Sequence, residues 1–229
     1  MQTKVKNSFL AAAMVVAVVS TLTTGCAPLI FGGAVMAGST TVSSAADRRS
    51  MGAQVNDGVL ETRVNAEISR VLGQNAKTHI TVTAYNGRVL LTGEVETPEL
   101  KAGAAKTARE SLDVKQVIDE LAVMQPVGLT QRMSDSTLAT KVRSNIVGNK
   151  NVSINQMKVV VDRGVVHLMG LLTPEENRAA CESAAKTNSV VRVISHVEIL
   201  SADRIEKMRA EEAERQARLG QNENNQPQP

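Results

Sequence analysis

The chain has 229 residues, with 26 lysines and arginines against 23 acids and a formal net charge of +3. Lys4 and Lys6 sit in an acid-free N-terminal segment that reads as removable, so the mature balance is about +1 and gives no reason to expect nucleic acid. Aromatic residues make up 1% of the chain, and only Phe31 and Tyr85 lie beyond that segment, which argues against sugar or base recognition by stacking.

Lys4 and Lys6 precede an apolar run from Phe9 to Val19 and a Ser/Thr stretch that ends at Gly25-Cys26. The run is too short to cross a bilayer core of about 30 Å as a helix and has the layout of a secretory signal over residues 1–25. Leu22-Thr23-Thr24-Gly25-Cys26 resembles a bacterial lipobox, with Thr23 where leucine is usual. On that reading Cys26 becomes the N-terminus and carries acyl chains such as palmitate, more than enough for stable anchoring. An ordinary signal peptide with an incidental cysteine is the alternative. Ala27, in place of Asp, implies outer-membrane sorting by the same resemblance. Residues 26–56, rich in Gly, Ala, Ser and Thr, read as a tether. The remaining cysteine, Cys181, then has no partner for an intramolecular disulfide and reads as a small buried hydrophobe.

Asn56-Asp57 is a plausible N-cap, followed by Leu60, Val64, Ile68, Val71 and Leu72 at helical spacing and then by Gly73. His79 to Ala84 alternates as a strand, Asn86-Gly87 is a strong two-residue hairpin signal, and Arg88 to Val95 returns with Val89, Leu91, Gly93 and Val95 on one face. Thr97-Pro98-Glu99 starts a second helix with a stripe of Leu100, Ala104, Ala105, Ala108 and Leu112. Val117 to Met124 reads as a third strand. Gly93, and Gly170 in the copy described next, are expected to let the second helix of each unit pack closely on the sheet.

The pattern then repeats. Asp57 recurs as Asp135, Gly87 as Gly164 and Thr97 as Thr173, and the offset shortens by one at each of these steps, so the copies differ by single-residue slips in loops. The second copy predicts a helix over Ser136–Val147, strands over Lys158–Val161 and Val165–Leu171, a helix over Pro174–Lys186 and a strand over Val191–Leu200. The fold class is α+β: two tandem αββαβ units, each a mixed three-stranded sheet with helices on one face. The boundaries are 57–124 and 135–200, with a linker over 125–134. Each unit is marginal for an independent core, so the two are expected to pack together. Residues 201–229 read as a charged helix, with Glu214 and Arg218 at i,i+4 spacing, and a disordered tail from Gln221.

Gly87-Arg88-Val89-Leu90-Leu91-Thr92-Gly93 and Gly164-Val165-Val166-His167-Leu168-Met169-Gly170 resemble the central signature of the BON domain, a module of bacterial envelope proteins. With Ser50 to Gly58, Val82 to Gly87, Gln125 to Leu129, Thr140 to Ser144 and Cys26, the resemblance extends to the dual-BON outer-membrane lipoproteins. Two departures stand out: Asp113-Val114 and Ser189-Val190 replace the usual Gly-Val before the last strand. The resemblance implies a non-enzymatic protein of the inner leaflet of the outer membrane, facing the periplasm. There the second domain binds anionic phospholipid and the protein supports envelope integrity and cell division. The family's contact uses the first helix of the second domain with an aromatic near its start, where this chain has Thr137.

Nothing points to catalysis, a cofactor or a small-molecule substrate. His79, His167 and His196 fall one per predicted strand without ligand-spaced neighbours, so no metal site is expected. Glu175-Glu176 read as first-turn acids opposing a helix dipole. The copies differ electrostatically: Asp57 to Val82 balances three acids with three bases, whereas Asp135 to Val160 sets Asp135 against Lys141, Arg143, Lys150 and Lys158. Lys141, Arg143, Val147 and Lys150 are therefore the candidate contacts for anionic lipid. A scaffold for a cell-wall hydrolase activator or an outer-membrane assembly factor, and a periplasmic chaperone, stay open as alternatives.

Overall fold

The computed structural model describes residues 47–73 and 76–224. The expected signal peptide and Cys26 lie outside these. The first helix, α1 (Met51–Leu72), starts well before Asp57: Ser50 is the N-cap, its hydroxyl accepting from Ala53 N at 3.2 Å. Asp57 is thus no cap. It lies on the buried stripe with Leu60, Val64 and Ile68, and its carboxylate accepts the amides of Asn86 at 2.7 Å and Gly87 at 2.8 Å. The second copy does the same. Helix α3 (Leu129–Val147) begins at Gly128, inside the stretch expected as linker, and Asp135 accepts from Arg163 N and Gly164 N, both at 2.9 Å.

Those amides belong to two hairpins. Strand β1 (Thr78–Tyr85) pairs antiparallel with β2 (Arg88–Val95) through Asn86-Gly87, and β5 (Met157–Asp162) pairs with β6 (Val165–Leu172) through Arg163-Gly164. All four turn residues have positive φ, the type I′ geometry that follows strand twist. Crossover helices α2 (Pro98–Glu110) and α4 (Pro174–Ala185) are capped by Thr97 and Thr173; Glu176 completes a capping box with Thr173.

The third strand of each sheet is broken. Strands β3 (Gln116–Asp119) and β4 (Ala122–Val123) both run parallel to β2, and β7 (Arg192–Ser195) and β8 (Glu198–Ile199) both run parallel to β6. At the break Leu121 turns into the first core and Val197 packs on the second, a phase slip that period-two reading passes over. The residues that lead into these broken strands, Asp113 and Ser189, carry φ of 67° and 76°. These are the positions where the resemblance has glycine, and the left-handed backbone explains why.

Seven consecutive residues of β2, from Val89 to Val95, are buried, which one-sided packing cannot produce. Val89, Leu91 and Val95 face the helices, together with Leu60, Val64, Ile68 and the small residues Ala104, Ala105 and Ala108. Leu90 faces the other way, into a third cluster with Tyr85, Met169, Leu171, Leu200 and Ile205. The two sheets therefore pack back to back. Polar contacts cross the seam: Tyr85 Oη donates to Gln156 O at 2.8 Å, Lys158 Nζ meets Glu61 Oε1 at 2.7 Å, and Arg88 donates to His196 O at 2.6 Å. Helix α5 (Ala202–Asn224) closes the end of this seam with Ile205 and Met208, and extends past Gln221, where a disordered tail was expected.

Gly93 and Gly170 correct another expectation. They do not serve helix packing. A Cβ at Gly93 would lie 1.9 Å from His79 O, and one at Gly170 would lie 2.6 Å from Gln156 O, so each is required by the neighbouring strand or the turn leading into it. Gly93→Ala is expected to cost about 3 kcal/mol in urea unfolding, through clash and a φ of 111°, whereas Gly58→Ala, in open space on a helix, gains about 0.5–1 kcal/mol. Relief of the left-handed serine predicts that Ser189→Gly stabilises by about 1 kcal/mol in the same measurement. Asp135→Ala, which orphans two turn amides, is expected to lose about 3 kcal/mol.

Candidate functional site

Pinning Asp135 to the hairpin sets the rotation of α3. Asp135, Leu138, Ala139, Val142 and Ile146 face inward, which leaves Leu129, Met133 and Val147 outward at 70%, 63% and 63% exposure. Between them on the same face lie Thr137, Thr140 and Ser144. Thr137 and Thr140 donate their hydroxyls to the helix carbonyls of Met133 and Ser136, at 3.0 and 3.1 Å, so their polar ends are satisfied within the helix. The only acid of this helix, Asp135, is buried. The outward stripe is thus apolar and hydroxyl-bearing, without negative charge.

The basic residues do not form one patch on it. Lys141 and Arg143 are two positions apart, about 200° around a helix, and flank opposite sides. The Arg143 guanidinium donates to Val159 O at 2.6 Å, and Lys158 is held by Glu61, so both are tied to the fold. Glu61 offsets the charge of Lys158, whereas Arg143, bonded to a neutral carbonyl, is fixed in position and keeps its charge. Among the described residues, Lys141 and Lys150 are exposed and make no ion pair. Lys150 and Val147 meet at an open cleft of about 380 Å³ at the C-terminal end of α3, also lined by Asn149, Asn151, Ser153 and Glu176. Glu176 does not oppose an anion there as a free carboxylate would. Arg48 holds it in a two-pronged pair at 2.6 and 2.8 Å, and although burial favours the protonated form, hydrogen bonds from Arg48 and Thr173 N–H keep its pKa below the usual range.

The first copy presents a related face. Met51, Val55 and Val59, in register with Leu129, Met133 and Thr137, are exposed by 80%, 66% and 48%. Its open cleft sits elsewhere, by the hairpin, and carries Asp57 and Asp113 beside Lys115. Cys181 is half-buried against the second core, and burial pushes its thiol pKa up, as a structural cysteine requires.

One cluster escaped the sequence reading. The histidines are not isolated: His79 lies 3.4 Å from the buried Glu94, and His167 Nδ1 lies 3.1 Å from His196 Nε2. The Glu120 carboxylate approaches the same His196 nitrogen at 3.8 Å. The two rings are 8° from parallel, and their 5.4 Å centroid separation equals the nitrogen gap plus both ring radii, so they meet edge to edge. Burial first, then His196, Arg192 and Arg163, push the His167 pKa down to about 4; burial also lowers that of His196. The repeat offered a signal, since Glu120 and His196 occupy equivalent positions in the two copies, but it becomes informative only once the sheets are known to pack back to back.

Among the described residues no helix is long and apolar enough to cross a membrane. The BON domain family matches residues 56–125 and 134–201. The chain is 34% identical over 155 residues to a 21 kDa hemolysin of Actinobacillus pleuropneumoniae, covering 66% of this chain and 80% of that protein. It is 32% identical over 170 residues to outer membrane lipoprotein DolP of Haemophilus influenzae, covering 74% of this chain and 86% of that one. A solved C-terminal domain of CdsD, a structural protein of the type III secretion system of Chlamydia trachomatis, aligns at 13% identity, covers 59% of this chain and 96% of that chain, and has a TM-score of 0.27, too slight to carry an argument. With two matched repeats that together span more than half of its length, the chain belongs to the BON domain family.

Proposed function

We propose that this protein is a non-enzymatic component of the cell envelope, anchored through lipid on Cys26 at the outer membrane and facing the periplasm, whose second BON domain rests on anionic phospholipid in support of envelope integrity and cell division. The observation that carries this reading is the outward face of α3: an acid-free stripe from Leu129 through Met133 to Val147, with Lys141 along one edge and Lys150 at the cleft beyond its end. Such a face suits shallow contact with headgroups and the upper acyl region. Each lysine near an anionic surface contributes about 1 kcal/mol and acts within a screening length of about 8 Å, so two of them give reversible contact and the acyl chains must supply residence. Once Cys26 holds the chain at the bilayer, a weak second contact becomes intramolecular and its effective concentration rises. The relative named as an outer membrane lipoprotein supports the location. Met133 and Leu129 offer apolar side chains near Thr137, where the family contact has an aromatic.

One observation favours a second reading. Met51, Val55 and Val59 are an exposed apolar stripe on the first domain, suited to a protein partner such as a hydrolase activator or an assembly factor.

Flotation of the unacylated protein, residues 27–229, on neutral and anionic vesicles separates the two. The expected result is recovery on anionic vesicles only, reduced at least tenfold in binding by combined Lys141→Glu and Lys150→Glu. Equal recovery on both vesicle types would sink the lipid reading, and retention of a stoichiometric partner by the charge-reversed protein in cells would favour the scaffold.

A further inference from the structure

We propose that Glu120, His167 and His196 form a divalent metal site, suited to zinc, that ties the two BON domains together. The three ligand atoms lie within 4.8 Å of one another, with His167 Nδ1 to His196 Nε2 at 3.1 Å and His196 Nε2 to Glu120 Oε1 at 3.8 Å. A tetrahedral zinc ion with bonds of about 2.0–2.1 Å sets its ligand atoms about 3.4 Å apart, so the existing spacing brackets the required one. Two imidazoles and one carboxylate are also the donor set of an open zinc site, with a fourth position left for water.

A hydrogen bond between the two imidazoles explains their own contact but not the third member. One proton shared along the nitrogen–nitrogen line satisfies both rings, while the Glu120 carboxylate, at 3.8 Å, is beyond hydrogen-bond reach of the nitrogen it faces. Among the described residues it makes no other side-chain hydrogen bond. A cation in place of the shared proton, with the ring that donated it taking the proton on its other nitrogen, gives all three groups a common partner. The change requires each ring to tilt in its plane so that the lone pairs converge instead of opposing each other. Entry is from the Glu120 side, whose side chain is 31% exposed, since His167 is enclosed. Arg88, which donates to His196 O, places positive charge near the site, and the Glu120 carboxylate offsets part of it.

The ligands come from both domains. Glu120 precedes β4 of the first, while His167 on β6 and His196 before β8 belong to the second. An ion held by all three binds only the docked arrangement and therefore stabilises it by mass action.

The test is a titration of the full chain in metal-free buffer with Co²⁺, followed by its visible absorption, then displacement by Zn²⁺, with thermal melting recorded alongside. The expected result is saturable one-to-one binding with a tetrahedral cobalt spectrum and a melting temperature that rises with Zn²⁺. Glu120→Gln, at a partly exposed position that leaves the core intact, weakens binding tenfold or more, and His196→Ala abolishes it. His79→Ala and Cys181→Ser leave it unchanged. Absence of the tetrahedral spectrum in the parent protein overturns the proposal. So does undiminished Zn²⁺ binding in Glu120→Gln and His196→Ala.

Discussion

In both copies a carboxylate carried by the first helix is buried and grips the two amides of the hairpin turn, and the rest of the structure depends on this latch. Removing a carboxylate from water costs several kcal/mol unless it is paired or fully hydrogen-bonded, so the helix can settle only where the turn amides meet it. In the first copy Arg49 joins at 2.8 Å from Asp57 and lies 3.9 Å above the Tyr85 ring, which extends the latch to the seam between the domains. Once Asp57 and Asp135 are fixed, helical periodicity leaves no freedom. Leu60, Val64 and Ile68, or Leu138, Val142 and Ile146, must face the sheet, and Met51, Val55 and Val59, or Met133, Thr137 and Val147, must face out. The candidate membrane face is therefore a consequence of an interaction on the opposite side of its own helix.

The second constraint is that β2 and β6 are buried on both faces. A unit of this size has too little interior to be secure alone, and the back-to-back packing supplies each sheet with a second apolar layer around Leu90, Met169 and Leu171. This packing also redistributes charge. Lys158 looks like part of a basic surface when the copies are compared as sequences, but it lies against Glu61 of the other domain. Arg163, which replaces the turn asparagine of the first copy, reaches Asp162 at 2.9 Å and the fully buried Glu94 at 3.5 Å. Part of the apparent surplus of the second domain is thus used in docking, Lys158 with Glu61 and Arg163 with Glu94.

The duplication, the order of elements and the hairpin turns were legible because they rest on local periodicity and on turn residues. What was not legible depends on partners far away in the chain. Asp57 has the local signature of a cap, and only the distant hairpin turn at Asn86 shows otherwise. Arg143 reads as a freely moving side chain until Val159 O is seen beside it, which fixes the guanidinium and leaves its charge. Leu121 and Val197 break the alternation of the third strand because the core claims them. Asp113 and Ser189 looked like drift from a glycine pattern, and they prove to hold the same left-handed backbone with a side chain attached.

Fusion of the copies has a further consequence. In a symmetric dimer of identical domains, a residue close to the twofold axis meets itself, and a carboxylate there would face a second carboxylate. Glu120 and His196 are equivalent positions and lie 3.8 Å apart, so the same position of the two copies meets across the seam. Covalent duplication lifts the symmetry requirement, so one position could become an acid and its counterpart an imidazole. The equivalent of Leu90 is His167 on the same seam. The strands that carry these residues still follow the shared pattern, and the side chains between them no longer do. The two copies thus differ in chemistry at the seam where they meet while keeping the strand pattern that builds it.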